Sequence, residues 1–404
     1  MGRMPLFARR PPSRRRSRPL GLADQPLPVT QRALGSSRYR RQAHCAYGSS
    51  GREIRMVQQV ERSANSMPRK LGTRLTELLE TCVEGLRGPL TIRALTGGRS
   101  NPTFRLHGQG QCFVLRSRPA AASSPSAHRI DREVRVLQAL EGSEVPVPRV
   151  LLHVADASYF GAPFYVMTLV DGEAIEDPAL PDLLISLRTR AYHQAIDILA
   201  SLHKLSPDAI GLAGFGGQGD YNARQLTRWS GQMASDGSVP SALLELGSVL
   251  SRTLPHQMRT SVVHGDYRFG NLLQSEGAIS AVLDWELSTL GDPFADLAYF
   301  LLPFDLPRDG LILRGLSEKH RRDSGVPDRE TLASRYCRAT GQPLPSGWPA
   351  YRAFALYRTA AIAHGVFHRQ TAGALTAHHD RQLDEIAEIG LAVLGSTVPL
   401  TSKG

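Results

Sequence analysis

Residues 261–300 read SVVHGDYRFGNLLQSEGAISAVLDWELSTLGDPFADLAYF, and the rest of the chain is best read outward from them. Three apolar residues lead into His264-Gly265-Asp266, Asn271 follows five positions after Asp266, and a second apolar run, Ala281-Val282-Leu283, delivers Asp284. This is the densest polar chemistry in the chain, and irregular stretches held by a rigid scaffold are where function concentrates. The spacing fits the needs of phosphoryl transfer. Asp266, in a tight glycine-containing loop, is placed to orient and accept the proton of an attacking hydroxyl. Asn271 and Asp284, on adjacent strand or loop ends, offer the hard oxygen ligands that Mg²⁺ takes.

Upstream of this stretch the hydrophobic period alternates between two kinds. Residues 73–86 set Leu75, Leu78, Leu79, Cys82 and Leu86 at helical spacing. Residues 90–95, 103–106 and 112–116 are short β-prone runs parted by glycine-rich turns, as in an antiparallel meander. Residues 127–140 read as a helix with Ile130, Val134 and Leu137 on one face, and 145–154 and 163–170 supply two more strands, the first edged by Pro146 and Pro148. After Asp171-Gly172 the pattern is mostly helical: 180–205, 223–234, 241–253 and several helices between 332 and 394. Five strands and one helix followed by a helical region predict an α+β fold of two lobes, hinged near residues 169–173.

The 404-residue chain carries a formal charge of +11, and that charge is concentrated. Residues 1–62 hold fourteen Arg, no Lys and three acids, a surplus equal to the whole net charge, so the remainder is formally neutral. A nucleic-acid-binding domain gathers its cations on a structured face, which this distribution does not do. The first 66 residues, rich in Arg, Ser, Pro and Gly, read as a disordered tail or an over-called start, with an organellar transit peptide as the second reading and a nucleic-acid or membrane tether as the third. Cys45, Cys82, Cys112 and Cys337 form no CxxC pair, which argues against a zinc site or a disulfide framework. The longest apolar runs stop well short of the ~20 residues of a membrane span, so a cytoplasmic protein is expected.

The HxDxxxxN spacing followed by a strand-borne Asp resembles the catalytic loop and metal-binding Asp of protein-kinase-like enzymes. The His264-Gly265-Asp266 form, with Asp284-Trp285-Glu286 and GDPFADLA at 291–298, resembles the aminoglycoside phosphotransferase family. VVHGDYRFGNLL with AVLDWELSTLGDP is similar, more narrowly, to the kinase-like domain found with acyl-CoA dehydrogenases. The likeness extends upstream through GGRSNPTFRL, FVLR, DREVRVLQAL and GAPFYVM. It covers roughly residues 71–394 and implies a small nucleotide-binding lobe (67–171), a larger catalytic and substrate lobe (172–404), and ATP with Mg²⁺ as cofactors.

The resemblance also assigns roles. The turn at Gly97, Gly98, Arg99, Ser100 and Asn101 would bring backbone N–H groups over nucleotide phosphates, although alone it is an ordinary hairpin turn. Arg116 ends the third strand where protein kinases place a phosphate-binding Lys, and Glu133 stands on the next helix as its ion-pair partner. Arg and Lys are not interchangeable, so this is a departure, and a surface Arg with a solvated Glu is the plain alternative. Met167 and Leu169 fall in the hinge that would present backbone groups to adenine. Asp292-Pro293 starts a helix, and Asp296 in its first turn either braces the loop or serves only the helix end. His264 reads as a holder of the loop backbone, and His203 as a packed helix histidine.

The acceptor is less legible. On a helix over 350–370, Arg358 and Arg369 share a face and His364 and His368 form an i,i+4 pair, a basic wall suited to an anionic acceptor such as a hydroxyacyl thioester of coenzyme A; ordinary ion pairs are the alternative. Tyr221 and Arg224 would line the same cleft. The expectation is a small-molecule kinase, functionally associated with an acyl-CoA dehydrogenase and with no specific nucleic-acid partner. An aminoglycoside or choline kinase and a nucleotide-binding pseudokinase are its rivals.

Overall fold

The structure is a computed structural model that describes residues 69–95, 101–118, 129–275, 277–310, 313–316, 324–370 and 376–395. The N-terminal segment and the turn residues Gly97, Gly98, Arg99 and Ser100 lie outside the described residues.

The first half comprises β1 (Arg69–Lys70), α1 (Thr73–Cys82), β2 (Thr91–Ala94), β3 (Thr103–Gly108), β4 (Gln111–Ser117), α2 (Arg129–Leu140), β5 (Val150–Val154) and β6 (Phe164–Thr168). These strands form one antiparallel sheet in the order β1-β2-β3-β4-β6-β5. β1 adds a strand to the expected five, because two residues carry no readable period. β5 begins only after the prolines at 146 and 148, which lack the N–H that a ladder uses. Alternation along β4 and β6 buries both faces: Phe113, Leu115, Phe164 and Val166 pack with Leu75 and Leu79 of α1. Val114, Tyr165 and Met167 join a core with Ile130, Val134 and Leu137 of α2. The same period of two turns Arg116 inward, directly opposite Tyr165 in the β4–β6 register.

The second half comprises β7 (Glu173–Ala174), α3 (Ile185–Lys204), α4 (Tyr221–Asp236), α5 (Ser241–Thr253), β8 (Ser261–Val263), β9 (Leu272–Ser275), β10 (Ala278–Val282), β11 (Thr289–Gly291), α6 (Pro293–Phe300), α7 (Arg329–Thr340), α8 (Trp348–Gln370) and α9 (Ala377–Gly395). Two of its helices, α4 and α7, start where an Asp side chain caps them. Asp220 accepts from the Ala223 N–H at 2.7 Å and Asp328 from the Thr331 N–H at 2.7 Å. The stretch expected to be irregular contains short antiparallel ladders, β9 with β10 and β8 with β11, while β7 extends the first. The core under the sheet continues into α3 and α6 through Ala191, Leu199, Val282 and Leu297. A second cluster, built on Trp229, Leu246, Phe354 and Leu383, joins α4, α5, α8 and α9. Among the described residues no helix is long and apolar enough to cross a membrane.

Candidate active site

β8 delivers His264, and the loop behind it is held from several directions. The His264 ring is fully buried; its Nδ1 accepts from the Asp266 N–H at 3.1 Å, which leaves Nε2 as the donor to the Leu283 carbonyl at 2.9 Å. Gly265 has φ +83°, and a Cβ there would stand 2.8 Å from the Leu287 carbonyl oxygen, so only glycine makes this turn. Asp296 of α6 accepts from the N–H groups of His264 at 2.5 Å and Gly265 at 2.9 Å. It therefore braces the loop as well as starting a helix. Burial alone would raise this carboxyl, but the hydrogen bond and charge of His203 and the Gly265 N–H hold it below the ordinary carboxylate range. His203 is packed within α3, with Nδ1 2.7 Å from the Tyr336 hydroxyl and Nε2 3.5 Å from Asp296.

Asp266 stands at the open side of this loop, with its side chain 21% exposed. Asn271 Nδ2 donates to both the Asp266 backbone carbonyl and its Oδ2, each at 2.8 Å, and this fixes the amide so that Oδ1 points away from the pair. Arg268 Nε lies 3.4 Å from Asp266 Oδ2, and Arg268 Nη1 reaches Glu176 at 2.5 Å. The Tyr299 phenol is pushed well up, first by burial and then by the charge of Asp266 beside it. The β9–β10 hairpin brings Asp284 to the same end as Asn271, since the Leu283 N–H donates to the Asn271 carbonyl at 2.8 Å. Asp284 is left-handed, at φ 65°, and directs its carboxylate toward the sheet.

From the sheet side, Arg116 Nη2 meets Asp284 Oδ1 at 2.5 Å and Nε lies 3.2 Å from Glu133 Oε2. Burial would lower the guanidinium, but the charges of Glu133 and Asp284 more than offset it. Glu133 is 2% exposed, and burial pushes it up to about 7 against the pull of Arg116. Asn101 is buried and donates across to Glu286 at 3.3 Å, a contact between the sheet and the segment after Asp284 that local spacing does not reveal. Met167 is paired within the sheet and Leu169 stands just beyond the end of β6.

The basic wall expected on α8 is not assembled. Arg358 is 8% exposed and donates to the Gly265 carbonyl from behind the loop. His364 is fully buried, bonded through Nε2 to the Ser238 carbonyl at 2.8 Å, with its ring 4.5 Å from that of His368. Arg369 is exposed, and Tyr221 is buried against Gly291. Arg224 donates to the Gln218 carbonyl at 2.8 Å and to that of Gly219. α8 has the expected helical period, but the face that carries Arg358 and His364 packs inward. Arg268 and Tyr299, the neighbours of Asp266, line a small cavity with Glu176, Phe269, Leu313 and Arg314. Neither Arg268, two positions past Asp266, nor Arg314 was expected at the site, and Arg314 has no local signal.

Comparison with known proteins agrees with this geometry. The model of the phosphotransferase enzyme family matches residues 91–354. Acyl-CoA dehydrogenase family member 10 of Mus musculus is 39% identical over 321 residues, which cover 77% of this chain and 30% of that protein. The chain thus spans under a third of that relative's length. A solved Ralstonia eutropha protein, provisionally named an aminoglycoside phosphotransferase, is 33% identical with a TM-score of 0.72, over 82% of this chain and 100% of that one. The ADP-bound aminoglycoside phosphotransferase APH(2'')-Ib, at 14% identity, has a TM-score of 0.52 over 80% of this chain and 99% of that one, a likeness of fold.

Proposed function

The chain belongs to the phosphotransferase enzyme family, and on that premise we propose that it transfers the γ-phosphoryl group of ATP to a hydroxyl on a small metabolite, with Mg²⁺. The observation that carries this is the convergence of Asp266, Asn271 and Asp284 with Arg116 and Glu133 at the junction of sheet and helices. Asp266 takes the proton of the acceptor hydroxyl, held in aim by Asn271 and by the bonds of His264 and Asp296 to its loop. Asn271 Oδ1 and the Asp284 carboxylate are hard oxygens of the kind Mg²⁺ selects, and the ion, when bound, neutralises charge at the nucleotide phosphates. Arg116, anchored by Glu133, grips the α and β phosphates, Asn101 stands over them, and Met167 and Leu169 border the adenine. The lobes divide at residues 171 and 172 in this reading. Rate acceleration comes from positioning and electrostatics, since little covalent chemistry falls to the protein.

For the acceptor we favour a hydroxyacyl-CoA or related hydroxy acid. Arg268 and Arg314, which line a small cavity near Asp266, support it, since each can exchange its carboxylate partner, Glu176 or Asp177, for an anionic group of the acceptor. The name of the mouse relative points the same way and motivates a functional association with an acyl-CoA dehydrogenase. The test is Mg²⁺-dependent ATP turnover across hydroxyacyl-CoAs, hydroxy acids, choline and aminoglycosides. Turnover of one class that falls by about 10²–10⁴-fold in Asp266→Asn is expected. Phosphorylation of an aminoglycoside or choline alone would overturn the acceptor assignment.

The contact between Arg116 and Asp284 favours a second reading, a nucleotide-binding module, because that ion pair competes with a metal for the carboxylate. ADP binding with no Asp266-dependent turnover of any acceptor would establish it.

A further inference from the structure

Arg358, in the middle of α8, is buried in a manner that is costly for a cation. Among the described residues no carboxylate forms an ion pair with it, and its Nε has no hydrogen-bond partner. Its guanidinium lies 4.6 Å from the centroid of the Tyr299 ring and 5.8 Å from that of Trp229, and a terminal nitrogen donates to the Gly265 carbonyl oxygen. Removing an unpaired charge from water is strongly unfavourable. A neutral residue would pack between two aromatic rings at lower cost, so the charge itself needs a reason.

We infer that Arg358 is a positioning residue that sets the aim of Asp266, an inference that rests on the phosphotransferase reading of that carboxylate. The peptide unit between Gly265 and Asp266 has two polar ends. Arg358 holds its oxygen, and His264 Nδ1 holds its N–H at 3.1 Å. The preceding unit is held by Asp296, which takes the Gly265 N–H at 2.9 Å. Gly265 is the point at which this loop is loosest, since glycine at φ +83° has the widest choice of conformations. Without Arg358 the carbonyl end of the unit loses its anchor, the peptide can rotate, and the Cα–Cβ bond of Asp266 swings with it.

The test compares Arg358→Met, Arg358→Lys and wild type in the full chain, with Mg²⁺-ATP as substrate and water as acceptor where no better one is found. Arg358→Met is expected to lower kcat by about 10–100-fold, the size of effect that follows small misplacement of a reacting group. Its KM for ATP and its affinity for ADP stay within about 2-fold of wild type, because the residue acts on the loop and not on the nucleotide. Arg358→Lys, which keeps the charge and a donor, recovers most of the loss in kcat. Faster amide hydrogen exchange at residues 264–266 in Arg358→Met is the companion readout, and it needs no activity. An unchanged kcat in folded Arg358→Met would overturn the inference, as would a loss confined to KM. Should wild type turn over no ATP, the phosphotransferase reading falls, and unchanged exchange at 264–266 would then sink the positioning role as well.

Discussion

Glu133 shows how a single residue ties the site to the stability of the fold. Its carboxyl is pushed up to about 7 by burial, above the ordinary value near 4.5, so folding takes up a proton between those two values. A group raised in this way stabilises the fold fully below its ordinary value, and that contribution is lost as pH rises through 7. Glu133→Gln removes the titration but keeps a hydrogen-bonding side chain of the same size. The unfolding free energy of wild type relative to Glu133→Gln is therefore expected to fall by on the order of 2–3 kcal/mol from pH 4.5 to pH 8, then level off. Urea titrations of both proteins across that range provide the measurement. A difference that does not change with pH would show that Glu133 stays ionised throughout, held by Arg116. The same residue scale explains what was legible in the site. Asp266, Asn271 and Asp284 are read from spacing because each sits on a tight turn or hairpin end whose local geometry the chain itself sets.

At the scale of an element, α6 joins the loop to the helical bundle. Asp292 caps it, accepting from the Phe294 N–H at 3.0 Å, and the same carboxylate accepts from Asn222 of α4 at 2.9 Å and from the Tyr351 hydroxyl of α8 at 2.6 Å. Burial raises this carboxyl, and the three donors work against that rise. Loss of a cap costs about 0.5–2 kcal/mol, and leaving buried donors unpaired adds about 1–3 kcal/mol. Asp292→Ala is thus expected to destabilise the protein by about 2–4 kcal/mol by urea denaturation, and Asp292→Asn, which keeps an acceptor, by less than half as much. A loss below about 0.5 kcal/mol would mean that α6 is held by its apolar face alone. The start of this helix was readable from Asp292-Pro293, but its joining of three helices was not, because Asn222 and Tyr351 lie 70 and 59 residues away.

For the whole molecule, the main core does not stop at the hinge. Val114, Tyr165 and Met167 of the sheet share one apolar cluster with Leu137 of α2, Leu199 of α3 and Trp285 beside the loop. Lobes that share a core of this kind should lose structure together, although chains of this length often unfold in steps. The expected outcome is coincident urea transitions by tryptophan fluorescence, near-UV circular dichroism and ADP binding. Two separated transitions would show that the second cluster, around Trp229, Leu246 and Phe354, is an independent unit. An overlapping core also gives Arg116 and Asp284, from opposite sides of the junction, a fixed meeting point at 2.5 Å.

The amino-acid order by itself determined the succession of the longer strands and helices, the glycine turn at Gly265 and the spacing of the three carboxylate and amide groups, because all of these follow from backbone period and local sterics. Only the tertiary structure decided where Arg358 and His364 point. A helical period states which side chains share a face but not what that face meets, and the partners of these two residues, Gly265 and Ser238, lie 93 and 126 positions away. The contact between Asn101 and Glu286, 185 positions apart, was settled in the same way. Such pairings depend on how the sheet and helices bury their common apolar surface, a property of the packed whole that no window of sequence contains.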